Sequence, residues 1–482
     1  MNKFNRKAVY CTLVALTLAT PAYAVEAVAE GETVNTAGTA TLMEQESATA
    51  IETVEQGAAT AVDTAEETAP IGQGDTSTSL LPEESTSPTE DLFGRKSGYI
   101  HPFIRIEESW TDNVFYTNDD EIESWITRVM PGIWLSLPRS KKLPVEITPN
   151  NTSAAGLQTQ INDDQTGTER YQAFALANLD SFTYSEDSDL DTVGGNVQGL
   201  FRYNMRGGLS LQVLDAYTAS NDSFRDTDAS RSVREYDSNL AMATGDYQIT
   251  EKFRLKADFS NFYLDYDDSL DSDLNRSDNA VDLYTYYLYS TKTSLFLEYK
   301  FANVDYDTAS EKDNDQHYVY AGMDWRASDK IKLHAKAGYQ KREYDDSVTS
   351  RDDWDGMAFE LGASYRISLK TAFNISGFRS SDESDSLLAY NQTVTGIRFG
   401  YRQDLSHKFA AMVNGLWENS DYTNYDASDR TDNRYWLAPT LQYFVYDWLM
   451  TELTYSWDHR TSDSDIYEYT THTLMLSLNI SM

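Results

Sequence analysis

Cysteine is all but missing from this 482-residue chain: Cys11 is the single one. It falls in a stretch expected to be removed on secretion, so disulfides and cysteine-ligated metal sites are excluded from the mature protein. Long apolar runs are missing too. Charged or strongly polar residues interrupt every one well short of the roughly 20 residues that a spanning helix needs. Positive charge is scarce, with Lys and Arg totalling 39 against 77 Asp and Glu and a net charge of −38. Phosphate recognition needs clustered bases, so a nucleic-acid partner is excluded. Catalytic groupings are absent as well. The six histidines, His101, His317, His334, His407, His459 and His472, are scattered, and no H-E-x-x-H, G-x-S-x-G or P-loop spacing occurs. The expectation is a protein that is not an enzyme and that carries no cofactor and no metal. Acidic runs such as Asp267 to Asp273 lack the glycine that a calcium-binding turn requires. They read as solvated outer loops, with divalent ions bridging them to lipopolysaccharide.

What is present is tyrosine, at 33 residues, with 9 tryptophans and a mean hydropathy of −0.55. Amphipathic rings in such numbers suit the two interfaces of a membrane barrel. The low mean hydropathy is compatible with that location, because only alternate residues of a barrel strand face lipid.

The chain divides into three parts. Lys3, Arg6 and Lys7, an apolar run from Ala8 to about Leu18, and Pro21-Ala22-Tyr23-Ala24 form the pattern of a secretory signal peptide over residues 1–24. Residues 25–95 are mostly Ala, Glu, Thr, Ser and Gly, a composition that cannot offset the entropy of ordering. They are expected to form a disordered acidic tether in the periplasm, with docking of a periplasmic export partner as its functional alternative. From residue 96 to 482 the texture is that of strands. Leu474, Leu476, Leu478, Ile480 and Met482 alternate with Met475, Ser477, Asn479 and Ser481, and the same period of two runs from Ile331 to Gln340 and from Met357 to Ile367.

Turn lengths then fix the topology. Short connections near Arg206-Gly207-Gly208, Thr250-Glu251, Thr291-Lys292, Ser328-Asp329-Lys330, Ser368-Leu369, Leu405-Ser406-His407 and Tyr446-Asp447 alternate with long polar loops such as 222–235, 265–278, 343–355 and 420–433. Short turns belong at the periplasmic end and long loops outside. Strands are expected at about 99–111, 121–137, 170–184, 191–206, 207–221, 231–248, 251–266, 276–290 and 293–307. They continue at about 315–328, 330–345, 353–367, 369–382, 389–404, 407–421, 432–446, 448–461 and 467–482. The fold class is therefore all-β: a transmembrane, antiparallel, up-and-down β-barrel of about 18 strands. Parity makes residues 139–169 a long periplasmic connection. The 40-residue period also suits a β-propeller, but each period holds two long runs rather than four short ones.

Strand parity turns Arg128, Arg202, Arg254, Lys256, Lys300, Lys336, Arg366, Arg398 and Arg402 inward, with Asp258, Glu298, Glu360 and Glu418. Inward bases exceed acids on this reading, so one expectation is a lumen that favours anions. The other is a ladder of Arg–carboxylate pairs that braces the wall. Trp134, Tyr284, Tyr286, Tyr318, Tyr320 and Trp436 also point inward, either to stack on sugar rings or to fill space.

The first strand, His101-Pro102-Phe103-Ile104-Arg105-Ile106-Glu107-Glu108-Ser109-Trp110-Thr111-Asp112-Asn113-Val114-Phe115, and its return, Thr127-Arg128-Val129-Met130-Pro131-Gly132-Ile133, carry a family likeness. Together with the alternation up to Met482, they resemble the outer-membrane porins of the β-barrel porin 2 type, associated with exopolysaccharide production and export. The chain departs from that pattern at residues 139–169, where a short turn and a third strand would stand, and in ending on Met482 rather than an aromatic residue. The resemblance implies a Gram-negative outer-membrane location, contact with lipid and lipopolysaccharide, and passage of an anionic saccharide polymer. Two alternatives stand beside it. One is a general diffusion porin for small solutes, in which an extracellular loop folds into the barrel. The other is a non-conducting scaffold or adhesin with a plugged lumen.

Overall fold

The structure is a computed structural model that describes residues 98–140, 145–147, 149–156, 159–161, 169–222, 224, 233–344, 353–424 and 429–482. The signal peptide and acidic tether expected over residues 1–95 lie outside the described residues. The strands are β1 (Gly98–Thr111), β2 (Ser124–Ser140), β3 (Val145–Ile147), β4 (Thr159–Ile161), β5 (Tyr171–Tyr184), β6 (Thr192–Asn204) and β7 (Leu209–Asn221). Then come β8 (Glu235–Gln248), β9 (Phe253–Tyr266), β10 (Arg276–Ser290), β11 (Thr293–Tyr306), β12 (Asn314–Ser328) and β13 (Ile331–Tyr344). The chain continues through β14 (Trp354–Ser368), β15 (Thr371–Glu383), β16 (Ala389–Asp404), β17 (Phe409–Asn424), β18 (Arg430–Tyr446), β19 (Leu449–Ser462) and β20 (Tyr469–Ser481).

Eighteen of these strands form one antiparallel sheet, and β1 closes it by pairing with both β2 and β20, from Phe103↔Ser481 to Thr111↔Thr473. Closure leaves no open edge, the condition for a sheet to cross lipid. A single closed sheet also removes the propeller alternative. No helix among the described residues is long and apolar enough to cross a membrane.

The period of two sorts the side chains. On β20, Leu474 and Leu476 are 46% and 50% exposed on the outer face, whereas Met475 and Ser477 are 2% and 0% exposed within. Small residues on the inner face of one strand receive rings from the next. Phe296 lies over Gly322, Tyr320 over Gly338 and Phe378 over Gly396. Each ring thereby covers backbone that glycine leaves bare, a device that pins register in curved sheets.

Two segments break the regular wall. Strand β2 pairs directly with β5, while β3 and β4 pair only with each other, as a small hairpin within the 141–170 connection. The β14–β15 ladder stops at Phe359↔Arg379, although β14 still pairs with β13 out to Trp354 and β15 still pairs with β16 out to Glu383↔Asn391. Beyond Arg379 the seam between β14 and β15 therefore opens and the edge of β15 turns inward, while β16 stays paired with β17 out to Ala389↔Asn424.

Gly338 tests the packing of rings on glycine. A Cβ there would stand 1.9 Å from the Val319 carbonyl oxygen and 2.8 Å from the Tyr320 ring, whereas at Gly199 its nearest neighbour would be 3.7 Å away. Gly338→Ala is expected to lower barrel stability by about 1–3 kcal/mol, with Gly199→Ala close to wild type. Urea titrations of the refolded proteins measure both, and equal midpoints would contradict this account.

Candidate functional site

The turn at Asn150 to Gly156 stands inside the lumen. It belongs to the connection that leaves and rejoins the barrel at the short-turn end, which was expected to be periplasmic throughout. That expectation needs correcting. Inward-facing Asp278 accepts the Ala155 N–H at 2.8 Å, Lys300 Nζ donates to the Ala154 carbonyl at 3.1 Å, and Arg276 donates to the Ser153 carbonyl at 3.2 Å. Ala154 and Ala155 pack on Ala280, Ala302 and Val304, whose small side chains leave room on the wall. Gly156, at φ 62°, lies against Phe262, where a Cβ would come within 2.1 Å of the ring. The physical reason is backbone satisfaction: buried N–H and C=O groups need partners, and the wall supplies charged ones. Sequence parity placed the two ends of this segment but carried no information about its middle.

The edge of β15 that has parted from β14 meets this turn. Its Glu383 N–H donates to the Thr152 carbonyl at 2.8 Å. Gln340, on the inner face of β13, takes the place of the missing ladder: its Oε1 accepts the Ser381 N–H at 2.9 Å and its Nε2 donates to the Ser381 carbonyl at 2.6 Å. The Glu383 carboxylate accepts from Arg342 at 2.8 Å, Gln316 at 2.6 Å and the Tyr306 hydroxyl at 2.7 Å. Arg342 and Glu383 are both 0% exposed. At the tip, Leu387 packs on the cluster that holds Leu240, Leu264, Tyr266 and Leu274, so the hairpin reaches across to β8 and β9. A pocket lined by Asn150, Thr152, Tyr266, Arg276, Tyr306 and Asp385 lies where the turn and hairpin come together.

Nearer the mouth, Val114, Phe115 and Tyr116 of the 112–123 loop are buried with Ile126, Tyr184 and Phe224. Among the described residues, the long-loop half of the lumen is thus narrowed by inward segments of the chain itself. The short-turn half is more open along β8, β9 and β12, where the side chains of Arg254, Asp246 and Asp324 are 36%, 30% and 46% exposed.

All thirteen residues singled out from the sequence lie on inward positions. Arg128 sits between Glu107 at 3.1 Å and Asp180 at 2.5 Å, and Lys336 between Glu298 at 3.2 Å and Glu360 at 3.1 Å. Arg254 faces Asp246 at 3.7 Å, Lys256 faces Asp258 at 2.8 Å, Arg398 faces Glu418 at 3.9 Å and Arg402 faces Asp404 at 3.5 Å. Arg202 donates to Gln212 at 2.9 Å, and Lys300 holds the inserted turn. Arg366 alternates with exposed Tyr365 and Ile367. Trp134 stacks on His101 at 3.7 Å, and Trp436 lies opposite Asp458. The Tyr284 hydroxyl donates to Asp282 at 2.8 Å, and the Tyr318 hydroxyl donates to Gln316 at 2.5 Å.

Two expectations change on this geometry. The wall carries more charge of both signs than was counted from the sequence: Glu107, Asp180, Asp246, Asp278, Asp282, Asp404 and Asp458 line it, and so do Arg105, Arg276, Arg342 and Arg434, most of them in ion pairs. The same parity marks them, so the signal was present in the sequence. The bracing ladder is the arrangement found. The rings offer few free faces for sugar either. Lys256 lies over Tyr284 at 5.0 Å, Lys300 over Tyr318 at 5.1 Å, Lys336 over Tyr320 at 4.7 Å and Arg254 over Tyr286 at 4.1 Å.

A family model described as "Putative beta-barrel porin 2" matches residues 163–482. This chain belongs to that family. Family and closed barrel together put it in a Gram-negative outer membrane. The family description names a porin, and the exopolysaccharide association expected from the resemblance has no counterpart in it. Among solved structures the chain is similar to OccAB4 of Acinetobacter baumannii, at 11% identity over 80% of this chain and 99% of that one, with a TM-score of 0.43. It is also similar to OpdK of Pseudomonas aeruginosa, crystallised with vanillate, at 11% identity over 80% of this chain and 100% of that one, with a TM-score of 0.42. A third is OccK2 (OpdF) of Pseudomonas aeruginosa, at 10% identity over 80% of this chain and 98% of that one, with a TM-score of 0.43. No curated protein sequence matches.

The Arg342–Glu383 pair is expected to hold the hairpin inside. Glu383→Ala leaves a buried guanidinium uncompensated, a change that costs about 3–5 kcal/mol in buried pairs. Hydrogen–deuterium exchange should therefore quicken over residues 380–391 while β18–β20 stay protected. Unchanged exchange in the hairpin would count against the pair as its anchor.

Proposed function

We propose that this porin is a passive channel for small polar solutes, with its short-turn end in the periplasm. The observation that carries the proposal is the meeting of Thr152 and Glu383 inside the barrel, where a turn rising from one end and a hairpin folded from the other narrow the lumen. The general diffusion alternative anticipated one such inward loop. A saccharide polymer in transit requires a wide continuous bore and free stacking faces, whereas here inward segments of the chain narrow the long-loop half and lysines and arginines lie over Tyr284, Tyr286, Tyr318 and Tyr320. Paired charges along the wall favour neither sign strongly, which suits polar solutes of mixed charge. Nothing in this reading calls for a reaction, so the protein acts as a conduit and not as an enzyme. Short turns toward the periplasm follow the usual build of bacterial barrels.

Single-channel recording in planar bilayers and swelling of proteoliposomes in sugars of graded size test the reading. Stable conductance, with swelling that falls steeply from monosaccharide to oligosaccharide, is expected. Glu383→Ala should raise conductance severalfold, because the hairpin loses its anchor. Uptake of a long acidic oligosaccharide at the rate of glucose would restore the polymer-export reading. Silence from a verified folded barrel would favour a closed scaffold. Sidedness has its own check: protease added to intact cells should cut within the long loops and spare the short turns.

A further inference from the structure

Five of the seven short turns share one local pattern: Thr250-Glu251-Lys252, Ser290-Thr291-Lys292, Ser328-Asp329-Lys330, Ser368-Leu369-Lys370 and Ser406-His407-Lys408. In each turn the lysine backbone N–H donates to the Ser or Thr hydroxyl oxygen two residues earlier, at 3.1–3.2 Å. The lysine carbonyls accept from the N–H groups of Leu288, Arg326, Arg366, Asp404 and Phe444 in turn, at 2.8–2.9 Å. Residues opposed across an antiparallel pair share a face of the sheet. Those partners are on the inner face, since Tyr289, Trp325 and Ile367 beside them are 69%, 41% and 43% exposed on the outer one. The five lysines therefore stand on the inner rim of the short-turn mouth, and all are exposed.

Little on that rim balances their charge. Two of the five partners are arginines, and one, Asp404, is an acid. Among the described residues, Lys252, Arg326 and Lys370 form no ion pair. Lys292 lies 3.9 Å from Asp329, whose side chain is fully exposed. Lys330 and Lys408 donate to the Ile367 and Val445 carbonyls at 3.2 Å and 3.0 Å, which leaves each ammonium with donors to spare. The other end of the barrel has the opposite sign. Its described loops 112–123, 185–191, 267–275, 307–313, 384–388 and 463–468 are rich in acids and hold a single base, the buried Lys312.

An acidic occupant for this mouth is present in the chain itself. Residues 57–94 carry eight acids, from Asp63 to Asp91, and no Lys or Arg. They lie outside the described residues, but the point where they join the barrel is fixed. Gly98 pairs with Ser140, at the end of β1 away from the 112–123 loop and hence at the short-turn mouth. Eighteen strands about 4.8 Å apart and tilted by about 40° close into a wall roughly 35 Å across. The chain from Glu83 to Gly98 can extend to about 50 Å, so its acids reach every lysine on the rim.

We infer that the acidic segment 57–94 docks in the lysine-lined mouth of its own barrel. The short connection holds it near the lysines at a local concentration on the order of millimolar. Ion pairs that are each weak in water then act together. The long-loop end repels the same segment by its sign. The inference is independent of what the lumen conducts, although a docked segment stands in the path of any solute at that mouth.

The test is double electron–electron resonance on the full chain carrying C11S, refolded in detergent and spin-labelled at two introduced cysteines. S87C is paired with L369C beside the lysines, or with I466C at the long-loop end. Leu369 and Ile466 are 75% and 61% exposed, so neither label displaces packing. At low salt S87C/L369C should show a population well below the ~35 Å width of the wall, and S87C/I466C should show none. High salt should shrink that population severalfold, because screening cuts the attraction between exposed charges. E83Q/E84Q/E90Q/D91N, which leaves the barrel untouched, should do the same at low salt, as should K330Q/K370Q/K408Q if its heat-modifiable mobility shows it folded. Absence of the short population in the native chain, its appearance at Ile466 instead, or its survival when the segment or the lysines of a folded barrel are neutralised would overturn the inference.

Discussion

Everything in this protein depends on the closure of one hydrogen-bonded ladder. Hydrocarbon offers no partner for a peptide N–H or C=O, so a sheet in the membrane must return to its own first strand. The β1–β20 pairing does this, and it fixes two surfaces that the period of two then populates. Leucine and tyrosine outside, and charge, amide and small residues inside, are consequences of that geometry and not of overall hydropathy.

Closure also creates the lumen's problem. Charges on its wall are partly shielded from water by the side chains around them, and a shielded charge needs a partner. The wall meets this by pairing across strands, as Arg128 does with Glu107 and Asp180, or Lys336 with Glu298 and Glu360. The same rule governs the two inward segments. Once the edge of β15 departs from β14, its backbone requires substitutes, and the Gln340 side chain stands in for a strand peptide by both donating to and accepting from Ser381. Asp278 and Lys300 do likewise for the 149–156 turn. A constriction built this way is held by polar groups that a solute must pass, so one set of residues would serve both stability and selectivity.

The two ends of the barrel answer to different surroundings. At one end the loops are long, acidic and partly folded over the mouth; at the other, repeated tight turns present lysine after lysine from near-identical backbone. The lysine repeat arises because successive hairpins meet the same local requirement, with a hydroxyl oxygen two residues back to take the turn's free N–H.

Much of the fold was legible in the sequence because its signals are local. Leu474, Leu476 and Leu478 alternating with Met475, Ser477 and Asn479 specify a two-faced strand, and short turns against long loops specify eighteen of them in up-and-down order. The same parity pointed Arg128, Lys300, Lys336 and the inner rings into the lumen. What lies within the lumen was not legible. Residues 149–156 and the end of the β15–β16 hairpin carry no periodicity that says inside, and their places are set by partners more than a hundred residues away in the first case and about forty in the second. Pairing of Thr152 with Glu383, of Arg342 with Glu383, and of Ala155 with Asp278 exists only once the barrel has closed and brought those strands to face a common interior. The sequence by itself determined the wall and its two faces, because alternation and turn length act between neighbours; the tertiary structure alone decided the constriction, because backbone that enters a lumen must take its partners from whatever that wall provides.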